Sequence, residues 1–490
     1  MLLGLDLGTT NIKALLVKPD GRIVARGSVP VSLRHTPDGG IEQDIEEIWR
    51  ATVAAIRAAG EQADLAHVQA IGVSSQGGAI QVRDTNGRCT GPVISWLDAR
   101  GRTYDEDIYR RKGADWLRRC LGHEQSGIGL GQILRLQKIR PDLLKPPNIV
   151  GFVGDTIVQR LCGRGAQDCS SLSISCLYSP TLKGVAPELL AELRLEADQL
   201  ADLLPARAVS GTLTAETAAL TGLPAGIPVG PAIHDQYTAA LGCGALEPGQ
   251  VMFGAGTAWV LVAVADHLMT PVVPSAWVCD HVAPERWGQL LSLAVGGSMV
   301  QWALGVTGRA DATREQIDDW LESVAPGCDG LQMLPFLDAV GGRNRPVGGR
   351  LNNMRLGHGS DHLLRATVEG LCFELARQLQ GLEAGGCPVR QLIMCGGGSR
   401  GRVTPRVVAD ITGYAVICPQ ETEISALGAA ILARAMLEPR TSLENLYQQM
   451  AGPTRRIQAS ASAQTYAPLL AQYVESVQST LVEQGRAEPR

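Results

Sequence analysis

The sequence predicts an α/β protein built from two domains of similar type. The chain has 490 residues, more than one hydrophobic core usually organises. Strand, hairpin, helix and strand patterns alternate over the first 75 residues, as in layered α/β domains. A second strand–Gly-Thr–strand pattern begins near residue 250 and echoes the opening of the chain. We therefore expect duplicated domains, residues 1–246 and 247–490, facing each other across a cleft.

The first elements predict a hairpin and a buried strand. Ile12–Val17 is rich in β-forming residues, Lys18-Pro-Asp-Gly21 has turn chemistry, and Arg22–Ala25 returns. Further on, Val68–Val73 has the length and composition of a short buried strand.

Helix signals occur at both ends of the chain. Asp44 and Glu47 have the spacing of a capping box, for a helix that Gly60 ends. Apolar residues from Tyr466 to Leu481 have amphipathic helix spacing, which predicts a helix packing on the second domain. The uncharged stretch 287–308 contains Gln, Ser and Gly, so we expect a strand and a buried helix there rather than a membrane span.

The second start is the sequence Gln250–Ala263, in which Gly254-Ala-Gly-Thr257 separates two β-rich runs. It resembles Leu3–Val17, in which Gly8 and Thr9 occupy the equivalent turn. The alternative explanation is that hairpins with glycine turns are common. We favour a duplication because the two copies lie half a chain apart.

Composition argues against several classes of function. A net charge of −5 disfavours nucleic acid or an acidic membrane surface as the main partner. The twelve cysteines are scattered, without the C-x-x-C pairs of zinc or redox sites. This usage, with no visible secretory signal, predicts a cytoplasmic protein.

Three glycine-rich turns are candidates for phosphate and nucleotide binding. No P-loop motif occurs, but Asp6-Leu-Gly-Thr-Thr10 sets a carboxylate beside backbone amides and hydroxyls, which suit Mg²⁺ and phosphate. Gly254-Ala-Gly-Thr257 and Cys395-Gly-Gly-Gly-Ser399 follow other predicted strands, and each turn alone is equally compatible with an ordinary turn. The predicted metal ligand is Asp6, and the predicted nucleotide contacts are Gly8, Thr9, Thr10, Lys13, Gly256, Thr257, Gly397, Gly398 and Ser399. We expect the helix opening at Glu423 to pack beneath the third turn.

Taken together, these motifs resemble the FGGY family of carbohydrate kinases over essentially the whole chain. The matching segments, in order and spacing, are Asp6-x-Gly-Thr-Thr, Asp235-Gln236, Gly256-Thr257, Arg365-Ala-Thr-Val-Glu-Gly370, the glycines 396–398 and Ala426-Leu-Gly-Ala429. The resemblance implies two ribonuclease-H-like domains of the actin and hexokinase type around a central cleft. It implies ATP with Mg²⁺, with the first domain binding the sugar and the second the nucleotide.

The resemblance also assigns Asp235 as the base that accepts the proton of the sugar hydroxyl. A carboxylate suits this role because it is ionised at neutral pH and can orient a hydroxyl. The alternative is that Asp235 only caps the helix that follows. His234 before it either tunes the base, touches the sugar or is structural.

Two further segments are expected to contact the acceptor sugar. Ser74-Ser-Gln-Gly-Gly78 ends a strand, where α/β proteins place ligands. Ile94-Ser-Trp-Leu-Asp-Ala-Arg100 resembles the family's W-x-D-x-R, although an internal salt bridge between Asp98 and Arg100 explains that pair equally well. The predicted substrate contacts are Gln76, Gly77, Gly78, Trp96, Asp98 and Gln236.

The chain departs from the family pattern at three places. Gln76-Gly-Gly-Ala79 stands where xylulokinases have Gln-Met-His-Gly, which puts xylulose in doubt more than kinase activity. Gly342–Pro346 lacks the family's Glu, and Thr404 and Arg406 replace Trp and Gln near the expected adenine site.

Two functions are compatible with these motifs. The first is an ATP-dependent kinase for a ketose or polyol, a pentulose such as xylulose before a methylpentulose or an erythritol-like polyol. The second is an ATP-driven switch of the actin or chaperone type, which needs no second-substrate pocket. The expected partner is a small sugar or polyol, with no nucleic acid or membrane, and a homodimer is left open. A kinase cleft must close to exclude water, and the expected hinge is 245–249.

Overall fold

The computed structural model describes residues 1–124, 126–273, 276–293, 295–337 and 348–483. In the first half the strands and helices are, in chain order, β1 Leu2–Leu7, β2 Asn11–Val17, β3 Ile23–Pro30, β4 Arg34–His35, β5 Ile41–Gln43, α1 Ile45–Gly60, β6 Ala70–Ser75, β7 Ile80–Arg83, β8 Val93–Ile94, α2 Arg102–Leu121, α3 Gly129–Ile139, β9 Ile149–Phe152, α4 Val153–Cys162, β10 Ala166–Gln167, α5 Cys169–Ile174, α6 Pro187–Leu193, β11 Asp202–Leu203, β12 Gly211–Thr212, α7 Ala215–Thr221, β13 Pro228–His234 and α8 Asp235–Cys243.

The second half continues with β14 Gln250–Ala255, β15 Trp259–Ala265, β16 Trp277–Asp280, β17 Trp287–Ser292, α9 Gly297–Val306, α10 Arg314–Ser323, β18 Gln332–Leu334, β19 Arg350–Asn352, α11 Ser360–Ala384, β20 Gln391–Cys395, α12 Thr404–Thr412, β21 Val416–Pro419, α13 Ile424–Leu437, α14 Leu443–Met450, β22 Thr454–Ile457 and α15 Ala463–Glu483. Short 3₁₀ turns lie at Leu65–His67, Ala99–Gly101, Pro141–Leu144, Ala197–Gln199, Cys328–Gly330 and Gly397–Arg400.

Two large mixed sheets repeat one strand plan. The first has the order β11-β10-β13-β6-β1-β2-β3, with β12 paired to β13, and the second has the order β16-β17-β15-β14-β20-β21-β22. In each sheet three antiparallel strands are followed by two parallel strands. In the first sheet the antiparallel strands are β3, β2 and β1, and the parallel ones are β6 and β13. In the second sheet the antiparallel strands are β17, β15 and β14, and the parallel ones are β20 and β21. This repeat confirms the expected duplication and the two ribonuclease-H-like domains.

Helices cover both sheets. Helices α1 and α4 bury a core against one face of the first sheet, while α8 and α13 lie on its other face. The second sheet packs with α9, α11, α12 and α15. The expected C-terminal helix is therefore confirmed as α15. The stretch 287–308 contains β17 and α9, so the expected strand and helix are present. The helix is not buried as expected, because only Met299, Ala303 and Leu304 of α9 are buried, whereas Trp302 and Val306 are exposed. In the described ranges no helix is long and apolar enough to cross a bilayer.

The start of α1 differs in one detail from the capping box that the sequence predicts. Asp44 caps the helix by accepting from the backbone N–H of Glu46 at 2.9 Å. The carboxylate of Glu47 instead accepts from the backbone N–H of Ser32 at 2.9 Å. Glu47 thus holds the loop after β3 instead of completing a capping box.

Helix α13 lies elsewhere than the sequence suggested. It packs against β1, β6 and α8 of the first half rather than beneath the turn after β20. Glycines permit the contact, since a Cβ at Gly4 would lie 1.9 Å from the Ala426 carbonyl oxygen and one at Gly72 would lie 1.9 Å from that of Ala429. The small residues of α13 therefore join the two halves, which sequence spacing alone does not reveal.

Candidate active site

The carboxyl ends of three parallel strands meet at one edge of the first sheet. Asp6 of β1 is in register with Ser74 of β6, and Ser74 is in register with Ile233 of β13. The glycine turn at Gly8 and the helix that begins at Asp235 leave the sheet at this edge. Open α/β sheets bind ligands at such an edge.

Asp235 is the first residue of α8, and its carboxylate is held by two neighbours. Gln236 Nε2 donates to Asp235 Oδ1 at 3.1 Å, and His234 Nε2 lies 3.2 Å from the same oxygen. Burial raises the pKa of Asp235 to about 6. The carboxylate is therefore mainly ionised at neutral pH yet more basic than an ordinary Asp, which suits a general base.

His234 is buried and neutral. Burial lowers the pKa of its imidazole to about 3, so its Nε2 acts as a hydrogen donor to Asp235 and its Nδ1 is left as an acceptor. Nδ1 has no hydrogen-bond partner among the described residues. This arrangement holds the Asp235 carboxylate and leaves one unused acceptor beside it.

Asp6 lies close enough to Asp235 for their charges to interact. Burial first, and then the negative charge of Asp235, raise the pKa of Asp6 to about 6 against the opposing ammonium of Lys13. Ser74 Oγ donates to Asp6 Oδ1 at 3.1 Å and in turn accepts from Thr238 Oγ1 at 2.8 Å. Two half-buried carboxylates thus lie near each other, with Lys13 as a nearby positive charge.

This environment fits a magnesium ion. Among the described residues no group of three or more His, Cys, Asp and Glu side chains forms a complete protein cage. Mg²⁺ commonly takes one or two carboxylates and completes its shell with waters and substrate phosphates. Asp6, whose pKa is raised by burial and then by the negative charge of Asp235, suits this kind of ligation.

Lys13 links the two halves. Its Nζ lies 2.5 Å from Glu423 Oε2, just before α13. Burial lowers the pKa of this ammonium, but the hydrogen bond to Glu423 and the charge of Asp6 outweigh burial and raise it. Lys13 therefore stays charged beside Asp6, with one carboxylate already bound.

The phosphate turn of the first half follows β1. The Gly8 N–H donates to the Asn11 carbonyl at 3.2 Å, which closes the turn. Thr9 is half-buried, whereas Thr10 is exposed and accepts from Asn11 Nδ2 at 3.2 Å. The hydroxyl of Thr9 faces the acceptor side, as described below.

The two glycine turns of the second half lie against each other. Gly396 has φ of 84°, and a Cβ there would lie 3.0 Å from the backbone carbon of Ala255. A Cβ at Gly398 would lie 3.0 Å from the Ala255 side chain, whereas Gly397 faces open space. A flat base or ribose has room above Gly397, because no side chain covers it.

Two other predicted nucleotide contacts differ in exposure. Thr257 is exposed, and its carbonyl accepts from the Ser298 N–H at 3.0 Å. Helix α9 therefore begins directly at the turn that Gly256 and Thr257 form. Ser399 is buried and its hydroxyl donates to the Gly396 carbonyl at 2.8 Å. Ser399 therefore supports the turn with its side chain.

Apolar side chains flank the glycine pair on the acceptor side. A Cβ at Gly77 would lie 2.6 Å from both His234 and Ile174, and a Cβ at Gly78 would lie 2.2 Å from Ile128. Ile128 has φ of 53°, which is strained for a β-branched residue. Such strain clusters at ligand sites.

Trp96 and Asp98 have different surroundings. Trp96 is 38% exposed and its indole N–H donates to Thr9 Oγ1 at 3.0 Å. Asp98 is buried, and its carboxylate accepts from Arg100 Nη2 at 2.6 Å and from the Ile41 N–H at 2.9 Å. The salt bridge considered from the sequence is therefore present, and it braces the segment that carries Trp96.

Sequence reasoning missed several residues of this site, chiefly Gln43, Glu423, Ile128 and Ile174. Gln43 Nε2 donates to the Thr9 carbonyl at 2.9 Å. A lone Gln or Ile in an unremarkable segment has no local signal. Glu423 was visible only as the residue before a helix.

The other departures from the family pattern, at Gly342–Pro346, Thr404 and Arg406, lie in different places. Gly342–Pro346 lies outside the described residues. Arg406 points to α10, where it pairs with Glu322, and its Nε donates to the Arg402 carbonyl at 3.0 Å. Thr404 begins α12.

Comparison with known proteins decides the family. The N-terminal domain of the FGGY family of carbohydrate kinases matches residues 1–242, and its C-terminal domain matches residues 251–437. The chain belongs to the FGGY family of carbohydrate kinases. Among its FGGY relatives, it is 27% identical over 459 residues to a xylulose kinase of Escherichia coli K12, covering 92% of this chain and 93% of the relative. It is 28% identical over 448 residues to an L-fuculokinase of the same strain, covering 88% and 91%.

The fold comparison agrees. The crystal structure of a ligand-bound xylulose kinase from Lactobacillus acidophilus superposes with a TM-score of 0.89 at 21% identity, covering 98% of each chain. The FGGY membership confirms the expected two-domain fold and an ATP-dependent carbohydrate kinase acting on a small sugar.

Proposed function

We propose that this FGGY kinase phosphorylates a hydroxyl of a ketose, a pentulose such as xylulose, with Asp235 as the base. The observation that carries the proposal is the register of β1, β6 and β13, which puts the Asp6 turn, the Gln76 segment and Asp235 at one edge. The xylulose kinases among the relatives support a pentulose acceptor.

In this mechanism Asp235 orients the acceptor hydroxyl and receives its proton as the oxygen bonds to the γ-phosphorus, while the bond to the ADP oxygen breaks. Phosphoryl transfer relies mainly on positioning and on neutralising charge. The hydrogen bond from Gln236 and the contact with His234 keep the carboxylate of Asp235 in one orientation.

The phosphates are assigned to backbone amides and hydroxyls of turns from both halves. Asp6 would hold Mg²⁺, which when bound neutralises charge on the phosphates, and Lys13 adds a further positive charge. The assigned contacts of the triphosphate and nucleoside are Gly8, Thr9, Thr10, Lys13, Gly256, Thr257, Gly397, Gly398 and Ser399.

For the acceptor, Trp96 offers an exposed ring to stack on C–H groups, and the Gly77–Gly78 backbone offers amides. Gln76, Asp98 and Gln236 complete the assigned set, with Asp98 acting through the brace to Arg100.

A second candidate acceptor is a methylpentulose. Ile128 and Ile174 flank the glycine pair where xylulokinases carry Met and His, and His234 adds an acceptor atom beside the base. A methyl group fits an aliphatic wall better than a hydroxymethyl group, whose hydroxyl would lose a partner. L-fuculokinases occur among the relatives.

The test is a coupled ADP-release assay with Mg-ATP against pentuloses, hexuloses, their deoxy counterparts and small polyols. We expect one ketose to stimulate release strongly, and Asp235→Asn to abolish that response. Stimulation by a deoxyketose about tenfold above its hydroxylated counterpart would select the methylpentulose. ADP release that no acceptor stimulates would contradict the proposal.

Three further points stay proposals. All twelve cysteines lie in the described ranges as free thiols, which supports a cytoplasmic location. The acidic net charge supports a small-molecule partner without nucleic acid or membrane. A homodimer is proposed for the assembly.

A further inference from the structure

A closed ring of hydrogen bonds joins the phosphate turn to the acceptor segment. Gln43 Nε2 donates to the Thr9 carbonyl at 2.9 Å, and Gln76 Nε2 donates to Gln43 Oε1 at 3.0 Å. Thr9 Oγ1 donates to Gln76 Oε1 at 3.2 Å and accepts from Trp96 Nε1 at 3.0 Å. We name these four side chains the Gln43 network.

Gln43 has a fixed orientation at the centre of this network. Its side chain is 1% exposed, and a backbone carbonyl can only accept, so the amide nitrogen must face Thr9 and the amide oxygen must face Gln76. Strand β5 pairs with β8 just before Trp96, through Gln43 and Val93. The network therefore connects four separate segments of the chain through Thr9, Gln43, Gln76 and Trp96.

We propose that Gln43 is a positioning residue that couples the nucleotide site to the acceptor site. The inference rests on the proposed roles of Thr9 at the phosphates and Gln76 at the sugar. Gln43 contacts neither substrate in this assignment. It fixes the distance between the Thr9 carbonyl of the phosphate turn and the Gln76 side-chain amide of the acceptor segment.

The physical reason is that one amide cannot satisfy two segments that move independently. If phosphate binding fixes the Thr9 backbone, Gln43 keeps its bond only in one position, and Gln76 must follow. A buried amide left without a partner is unfavourable, so the segments order together. Nucleotide binding then prepares the acceptor segment before the sugar arrives.

The chain offers a matched control for testing Gln43. Gln199 is equally buried, and its amide nitrogen donates to the carbonyls of Leu144 at 2.9 Å and Asn148 at 3.1 Å. Its amide oxygen accepts from the Glu196 N–H at 3.0 Å. Gln199→Met removes three hydrogen bonds away from the site, one more than the two that Gln43→Met removes from the network, and both changes keep side-chain volume.

The experiment is hydrogen–deuterium exchange with Mg²⁺ and the non-hydrolysable analogue AMP-PNP, without sugar. We expect AMP-PNP to slow amide exchange at residues 76–78 about fivefold or more in the native chain and in Gln199→Met. Gln43→Met should lose this slowing while its phosphate turn is still protected. Equal slowing in Gln43→Met, or none in the native chain, would overturn the inference.

A second variant tests the link to Thr9. Gln43→Glu keeps an oxygen for Gln76 and can donate to the Thr9 carbonyl only while its buried carboxyl is protonated. The slowing in this variant should therefore be present at low pH and lost as pH rises through the pKa of that carboxyl. Gln43→Glu that shows no slowing at any pH while its phosphate turn is protected would contradict the proposed link to Thr9. Because this measurement needs no acceptor, failure of every ketose to stimulate ADP release would refute the proposed substrate and leave the exchange result to decide the role of Gln43.

Discussion

Replacing Asp235 by asparagine is expected to abolish activity and to stabilise the fold. Burial raises the pKa of Asp235 from 3.8 to about 6. The folded protein therefore binds the proton more tightly than the unfolded chain does. Its stability falls as pH rises from about 4 to about 6, and the full cost is present above that range. A difference of about two pH units corresponds to roughly 3 kcal/mol.

Solvent reduces this figure, because the Asp235 side chain is 27% exposed. A gain of about 1–2 kcal/mol on removing the charge is therefore expected at pH 7. That corresponds to a rise of about 1–4 °C in the midpoint of thermal unfolding. At pH 4.5 the gain should shrink, since the native carboxyl is then mostly protonated. Sugar-stimulated ADP release should fall by about 10²- to 10⁴-fold.

The assay is thermal unfolding in EDTA at pH 7 and pH 4.5, with ADP release measured in parallel. Asp98→Asn is the control of opposite sign. Burial raises the pKa of Asp98, but its hydrogen bonds with Arg100 outweigh burial and hold it below the ordinary value, so this variant should lose stability at pH 7. If Asp235→Asn unfolds at a lower temperature than the native protein at pH 7, the Asp235 carboxylate stabilises the first turn of α8 rather than destabilising the fold. Retained turnover would refute its role as base.

Three other outcomes follow from the same structure. Because the proposed base is the ionised form of Asp235, whose pKa is about 6, kcat/KM should fall about tenfold per pH unit below that value. A level profile down to pH 4.5 would contradict this. A Cβ at Gly428 would lie 1.9 Å from the Thr238 carbonyl oxygen, so Gly428→Ala should cost about 1–3 kcal/mol in denaturant unfolding. Gly305→Ala, which faces open space in α9, should instead gain up to about 1 kcal/mol. Small-angle scattering should show compaction when an ATP analogue and the sugar bind together, with the hinge at 245–249, and an unchanged radius of gyration would contradict closure.

Local patterns predicted most of the sheet framework because each strand carries its own signal. The runs Ile12–Val17 and Gln250–Ala263 have β-branched residues and glycine turns, and both form the expected hairpins. The motif order predicted the family because six short segments had to agree at once. The prediction that Asp235 is the base followed from that agreement.

Long-range packing was not predictable in the same way. Helix α13 is rich in small residues, but the sequence does not say whether it packs against Gly4 or against the turn at Gly396. Gln43 likewise depends on the pairing of β5 with β8, which brings together segments about 50 residues apart. Such contacts depend on the whole topology, so a single sequence without a template leaves them open.

The site itself shows why a kinase cleft gives up some stability. Asp6 and Asp235 are both half-buried with raised pKa values, and Lys13 divides its charge between Asp6 and Glu423. Separating these carboxylates would remove the repulsion but would also remove the excess of negative charge that attracts a metal–nucleotide complex. Because Glu423 precedes α13 and Lys13 lies in β2, a ligand that draws Lys13 toward phosphate must weaken a contact between the two halves. We therefore expect phosphate binding and the Lys13–Glu423 contact to be linked through one ammonium group.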